Sequence, residues 1–235
     1  SVGDVPPTRH TQHRDADGRL RHEELMGEEG FSSDSSLLYH SGVPSAVVAS
    51  EVWDLPDQTL TPNHPLKPRH LRLHELAAAG SPTDPVTGRR LVLGNADVRI
   101  SYVVATRTSP YYRNATGDEC VYVESGAGVV ETALGLVPYR TGDYVILPRA
   151  LTHRWVPDAA AGPSALYPIE AHSHVAPPKR YLSRYGQLLE HAPYCERDLH
   201  GPTEPFLREG TDVEVLVKHR TSAGIVGTRM TYATH

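Results

Sequence analysis

The centre of this sequence contains a series of short segments rich in Val, Ile and Tyr, and turn-forming residues such as Gly94 and Asn95 separate them. The segments cover residues 90–93, 97–105, 118–124, 128–132, 143–147, 153–156 and 165–174. Short strands at such regular intervals are typical of an all-β sandwich or barrel, whereas a βαβ fold would alternate strands with helices. The sequence therefore predicts a mainly β protein.

The regions that flank this centre differ from it in composition. Residues 1–44 are polar, with an acidic stretch at 23–29, and we expect an irregular N-terminal arm there. Residues 45–178 are the predicted barrel, beginning with a strand at 45–53. Residues 179–235 are predicted to form a short helix at 181–191, a polar loop and two closing strands.

Charge and hydropathy exclude several classes of protein. The 235 residues include 23 Lys and Arg against 28 Asp and Glu, a net charge of −5, and nothing suggests the clustered basic surface that binds nucleic acid or anionic membranes. No apolar run approaches the 18 or more residues of a membrane helix, and the polar first thirty residues lack a secretory signal. We therefore expect a cytoplasmic protein, with Cys120 and Cys195 as free thiols.

Two sets of residues in the centre have a distinctive spacing. Six residues separate Glu119 from Gly126, and Gly142 is followed by Pro148 and, five positions further on, by His153. The spacing resembles the paired motifs of cupins, in which strand residues facing the interior of a jelly-roll barrel converge near its mouth. The resemblance predicts a cupin-type barrel with Glu119 and His153 inside it.

The metal-ligand set of such a barrel is incomplete in this sequence. The two histidines of the first cupin motif are replaced by Tyr112 and Asn114, or by Arg113 and Ala115 if the spacer is one residue shorter. A two-His-one-carboxylate iron site needs three ligands, and only two are present. We expect no metal there, and instead a polar interior that could hold a small organic molecule, lined by Tyr112, Asn114, Glu119, Tyr144 and His153.

A second cluster, Glu170, His172 and His174, is a weaker candidate for a metal site. Alternate residues of a strand point to the same side, and a carboxylate with two imidazoles is a chemically plausible Fe or Zn set. The three would, however, be spread over about 7 Å of strand, and prolines at 177 and 178 follow at once. We expect these histidines to be satisfied by neighbouring polar groups.

Four longer runs resemble bacterial homogentisate 1,2-dioxygenases. They are EEGFSSDSSLLYH (28–40), RNATGDEC (113–120), GDYVILPR (142–149) and YGQLLEHAPYCERD (185–198). This family cleaves the ring of homogentisate with O₂ at an Fe(II) centre and gives maleylacetoacetate, which makes it an extradiol-type dioxygenase. Its subunits contain two cupin-like halves, and two His and one Glu of the carboxy-terminal half hold the iron.

The resemblance implies that this chain is the amino-terminal half. The chain ends where the second half would begin, so the family's iron ligands have no matching positions here. The implied full-length enzyme uses Fe(II), acts on a small aromatic acid and forms a homo-oligomer, whereas this half alone is expected to be structural, without iron and inactive. The alternative is a non-catalytic cupin that binds a small molecule or serves in assembly.

Overall fold

A computed structural model describes residues 12–77 and 83–234, so residues 1–11 of the expected arm lie outside the described part. The described residues form fourteen strands and one short α-helix, α1 (Leu73–Ala77). In chain order the strands are β1 (His22–Glu29), β2 (Ser32–His40), β3 (Val47–Trp53), β4 (Arg90–Gly94), β5 (Val98–Ala105), β6 (Tyr111–Asn114), β7 (Glu119–Ser125), β8 (Ala127–Thr132), β9 (Gly135–Arg140), β10 (Tyr144–Leu147), β11 (His153–Pro157), β12 (Ser164–Ala171), β13 (Thr211–Thr221) and β14 (Gly224–Thr234).

The strands form two large sheets and one separate hairpin. One sheet has the order β10-β7-β12-β5-β4, the other has the order β3-β14-β13-β6-β11-β8-β9, and β1 pairs with β2. Within these sheets the eight strands from β5 to β12 follow a jelly-roll course, with four strands in each sheet and antiparallel neighbours. This is the double-sheet architecture of cupins, and it confirms the expected mainly β, cupin-type fold.

The larger of two apolar clusters joins the two sheets. Val121, Val123 and Leu166 of the five-stranded sheet belong to the same buried cluster as Val130 and Trp155 of the seven-stranded sheet. The ring of Trp155 meets that of Tyr139 edge-on, with centroids 5.1 Å apart. Each fully buried side chain of this size contributes about 1.5–3 kcal/mol, so this cluster is the main source of stability for the jelly roll.

Two strands of the jelly roll, β6 and β9, have no counterpart among the predicted strands. Strand β6 is only four residues long, and β9 contains Pro138, a residue that weakens a strand pattern. Strand β9 lies at the edge of its sheet and pairs on one side only, so the missing N–H of the proline can face away from the neighbouring strand. The turn at Gly142, with φ +94°, leads from β9 to β10 and so connects the two sheets instead of closing a hairpin.

The expectation of an irregular arm was wrong for residues 22–40. Strands β1 and β2 form an antiparallel hairpin in which Leu25 lies opposite Leu37, and Gly30 at its turn has φ +63°. The polar composition concealed these strands, because their pairing depends on backbone hydrogen bonds and on a few cross-strand contacts. Met26 of β1 also packs against the main core, which gives the hairpin a tertiary contact.

The helix expected at 181–191 was also wrong. A single 3-10 turn covers Lys179–Tyr181, and Leu182 and Leu188 then form an antiparallel bridge. Gly186 has φ +82° in the tight turn between them, where the Ser183 amide donates to the Gln187 carbonyl at 2.8 Å. Residues 182–188 therefore form a tight turn closed by backbone pairing, and not a helix.

The described residues contain no helix long and apolar enough to span a bilayer. Cys120 and Cys195 are both free, as expected.

Candidate functional site

Two carboxylates lie side by side in the interior. Glu119 at the start of β7 is paired in register with Glu170 near the end of β12. Glu119 is buried, and the Glu170 side chain is 10% exposed. Like charges directly opposite each other on neighbouring strands repel, so this arrangement requires cations between or beside them.

Arg89 supplies the first cation. Its Nη2 donates to Oε2 of Glu119 at 2.8 Å, and its Nη1 donates to Oε1 of Glu119 at 2.9 Å and to Oε1 of Glu170 at 3.0 Å. A guanidinium is suited to this task because its planar fork matches a carboxylate with two parallel hydrogen bonds. Arg89 thus bridges both acids.

The loop before β4 holds Arg89 in place. The Asp84 carboxylate accepts from the backbone amides of Val86 and Thr87, which closes the loop into a tight turn. The Pro85 carbonyl then accepts from Arg89 Nε at 2.9 Å. The direction of the guanidinium is therefore set by backbone geometry as well as by its acidic partners.

The seven-stranded sheet faces these acids with an amide and a second cation. Asn114 of β6 and Lys218 of β13 are paired in register. Asn114 Nδ2 donates to Oε1 of Glu119 at 2.9 Å, and the buried Lys218 ammonium is bonded to Oε2 of Glu170. We call Arg89, Glu119, Glu170 and Lys218 the interior charge cluster, and its two positive and two negative charges balance.

The charges of this cluster are strongly stabilised by one another. Burial alone would raise the pKa of Glu119, but the charge and hydrogen bonds of Arg89 outweigh it and hold that pKa at about 2. Burial likewise disfavours the charged form of Arg89, yet Glu119 raises the pKa of this guanidinium above its usual value. Both groups are therefore ionised at neutral pH.

His153 lies beside the cluster as a neutral base. Its Nδ1 is 3.0 Å from the carbonyl oxygen of Leu151, so Nδ1–H donates and Nε2 carries the lone pair. Burial lowers the pKa of His153, and Nε2 has no hydrogen-bond partner among the described residues. One ring nitrogen is thus free to accept a proton or bind an electrophile.

Four of the five predicted interior residues come together. Tyr112, Asn114, Glu119 and His153 are all buried, and the Tyr112 ring lies edge-on to His153 at 5.4 Å and under Arg89 at 5.3 Å. Tyr144 does not join them, because it points outward from β10, is 63% exposed and contacts the ring of Tyr122. Alternation along β10 directs Val145 and Leu147 inward instead.

Glu170, His172 and His174 do not converge on one point. Strand β12 ends at Ala171, so the two histidines lie beyond it and lose the alternation expected of a strand. His172 Nε2 is 2.6 Å from Nη2 of Arg220, and His174 Nδ1 is 3.9 Å from the Asp118 carboxylate. No group of three or more His, Cys, Asp or Glu residues suited to a metal is found within 12–77 and 83–234.

The interior fits an iron ion poorly. Both oxygens of Glu119 already accept hydrogen bonds from Arg89, and one of them accepts another from Asn114. The Arg89 guanidinium would repel a divalent cation at this short distance. Among the described residues of this interior, the Nε2 atom of His153 is the single good metal donor that remains, whereas a two-His-one-carboxylate centre needs three.

Sequence reasoning missed Arg89 and Lys218, and it assigned Glu170 to the wrong cluster. Lys218 had a detectable signal, because it shares a face of β13 with buried Leu216 and follows the apolar run Val215–Val217. A lysine at an inward position of such a strand requires a buried partner. Arg89 had no comparable signal, since it lies in a loop.

Comparisons with known proteins give one similar sequence and several distant structures. No known family model matches the chain. A protein of Saccharolobus solfataricus named “Putative dioxygenase” is 31% identical over 218 residues, which are 92% of this chain and 55% of that protein. The chain therefore spans about half the length of this curated relative.

The structural likenesses are weak. A protein with a double-stranded β-helix domain from Klebsiella pneumoniae has 18% identity and a TM-score of 0.39, over 46% of this chain and 93% of that one. Hydroquinone 1,2-dioxygenase from Sphingomonas, solved with 4-hydroxybenzoate bound, has 20% identity and a TM-score of 0.36, over 44% of this chain and 74% of that one. At TM-scores this low, neither structure supports an argument about the chemistry of this chain. The sequence comparison shows similarity to a longer protein that is named a dioxygenase.

Proposed function

We propose that this chain is the structural, iron-free half of a cupin-type ring-cleaving dioxygenase related to homogentisate 1,2-dioxygenases. In this proposal the iron and the ring cleavage belong to a second half of the protein. The substrate is a small aromatic acid, the subunits form a homo-oligomer, and the enzyme works in the cytoplasm. The similarity to a dioxygenase-named relative of greater length supports the family assignment.

The observation that carries the structural role is the bidentate pair of Arg89 and Glu119. In a metal-binding cupin the first-motif glutamate offers an oxygen to the ion, whereas here both oxygens are bonded to a guanidinium at 2.9 and 2.8 Å. The carboxylate of such a buried pair already has a positive partner, so it needs no metal ion. The interior charge cluster then links the two sheets without a metal, since Lys218 of the seven-stranded sheet pairs with Glu170 of the five-stranded sheet.

The proposal is tested by the mass and the oxygen consumption of the native protein. We expect a native polypeptide well above the 25.8 kDa of this chain, and oxygen uptake with homogentisate by the native protein but not by the 235-residue chain. Both samples are supplied with Fe(II) and kept anaerobic until substrate is added. A native mass of 25.8 kDa, or turnover by the 235-residue chain, would contradict the proposal.

A further inference from the structure

A cavity of about 330 Å³ lies between the β1–β2 hairpin and the jelly roll. The hairpin contributes Glu24, Met26 and Leu38 to its wall, and the jelly roll contributes Arg113, Leu151 and Thr152. The volume is in the range of small-molecule sites, and a mostly apolar wall with a few polar groups is the usual composition of such sites. This cavity is independent of the interior charge cluster and shares no residue with it.

Arg113 is the unusual member of this wall. Its Nε and Nη2 both donate to the single hydroxyl oxygen of Thr152, at 2.9 and 2.7 Å, and its Nη1 is 3.5 Å from the Tyr232 hydroxyl. Among the carboxylates whose side chains the structure describes, none lies at ion-pair distance from this half-buried guanidinium. Its partners are neutral, so N–H donors and a full positive charge remain available to a ligand.

Glu24 is the acidic group that the hairpin contributes to the wall of this cavity. Its Oε2 lies 2.8 Å from Nε2 of His40, across the hairpin. A carboxylate has about four acceptor sites, so Glu24 can accept a further hydrogen bond from a ligand hydroxyl. Met26, Leu38 and Leu151 give the same wall its apolar part.

We propose that this cavity binds a small organic carboxylate that has an apolar body and a hydroxyl group at its far end. The carboxylate pairs with Arg113, the body packs on Met26, Leu38 and Leu151, and the hydroxyl donates to Glu24. A guanidinium and a carboxylate make two charge-assisted bonds in parallel, which sets the orientation of the ligand. This proposal does not rest on the proposed oxygenase function.

Isothermal titration calorimetry on the 235-residue chain tests the proposal with 3-(4-hydroxyphenyl)propionate. Its flexible chain lets the two polar ends adjust to the cavity. We expect saturable 1:1 binding of the hydroxy acid, at least tenfold weaker binding of its amide, and weaker binding of 3-phenylpropionate. Arg113→Met should weaken binding of the hydroxy acid at least tenfold and abolish the preference for the acid over its amide. Glu24→Gln should reduce the preference for the hydroxylated acid.

Two further variants separate the site from general effects on folding. Arg140→Met removes an exposed arginine of β9 and should leave binding unchanged. Leu38→Trp keeps both charges, fills the cavity and should abolish binding, while thermal melting monitors the fold of every variant. The proposal is overturned by absence of saturable binding, by equal binding of acid and amide, or by unchanged binding in Arg113→Met. Equal losses in Arg113→Met and Arg140→Met would overturn it as well, since they would indicate a nonspecific charge effect.

Discussion

At the scale of single residues, the interior of this jelly roll depends on charge balance. Glu119 and Glu170 would repel each other without Arg89 and Lys218, and all four side chains are at most 10% exposed. Removing one partner of a buried pair leaves an uncompensated charge, which costs far more than the net value of the pair. A single substitution in the cluster should therefore destabilise the protein strongly. A double substitution that removes one cation and one acid together should destabilise it less than the two single substitutions added together.

We expect Glu119→Gln to destabilise the protein by about 3–5 kcal/mol, because it leaves two buried cations facing one acid. The double variant Arg89→Leu with Glu119→Gln restores the charge balance. Its loss of unfolding free energy should be smaller than the sum of the losses in the two single variants, by about 1–3 kcal/mol. Urea unfolding measures each value. Glu75→Gln is the control, since it breaks an ion pair whose side chains are 71% and 68% exposed and should cost below about 0.5 kcal/mol. If the double variant lost as much unfolding free energy as the two single variants together, the proposed charge balance would be contradicted.

The pH dependence of stability should show the depressed pKa of Glu119. This pKa is about 2 in the folded protein, below the ordinary value of a glutamate. The folded state therefore binds fewer protons than the unfolded state, so the contribution of Glu119 is present above about pH 4.3 and is lost as the pH falls towards 2. Urea unfolding at pH 5, 4 and 3 should show a loss of up to about 1.4 kcal/mol per pH unit from this group. Glu119→Gln should show a flatter decline, and an identical slope would contradict the assignment.

At the scale of elements, the local patterns predicted most strands and missed those that are polar, very short or interrupted by proline. Strand β10 has a regular alternation, and its bounds were predicted within a residue. The β1–β2 hairpin was missed because its polar residues carry no apolar period. The turn around Gly186 was taken for a helix, whereas Leu182 and Leu188 form an antiparallel bridge across it and Gly186 has φ +82°.

The hairpin should depend on its contact with the core. Met26 packs against the main apolar cluster, whereas Leu37 on the same hairpin is 57% exposed. A two-stranded hairpin is marginal alone in water, so this contact contributes to its docking. We expect Met26→Ala to cost about 1–2 kcal/mol and Leu37→Ala to cost less than about 0.5 kcal/mol, as measured by urea unfolding. Limited proteolysis within residues 22–40 should accelerate in the first variant only, and equal effects would contradict the packing.

At the scale of the whole molecule, the sequence predicted the cupin-type architecture and about half of the polar residues that form the interior site. The resemblance of the Glu119 and Gly142-to-His153 spacing to the cupin motifs placed Glu119 and His153 in the interior, and both are buried. The two cations of the interior charge cluster, one bonded to Glu119 and one to Glu170, could not be derived in the same way. Arg89 comes from a loop 30 residues earlier and Lys218 from a strand about 100 residues later, and only the packing of the two sheets brings them together.

Iron binding by the 235-residue chain tests most directly whether the interior charge cluster takes the place of a metal. The purified chain is equilibrated with Fe(II) under anaerobic conditions and dialysed, and its iron content is then measured. We predict no stoichiometric iron, because Glu119 is held by Arg89 and His153 is the single buried histidine among the described residues. One iron per chain that disappears on Glu119→Gln or His153→Ala would contradict this assignment, and iron lost on changing His172 and His174 to Ala would contradict the exclusion of that second cluster.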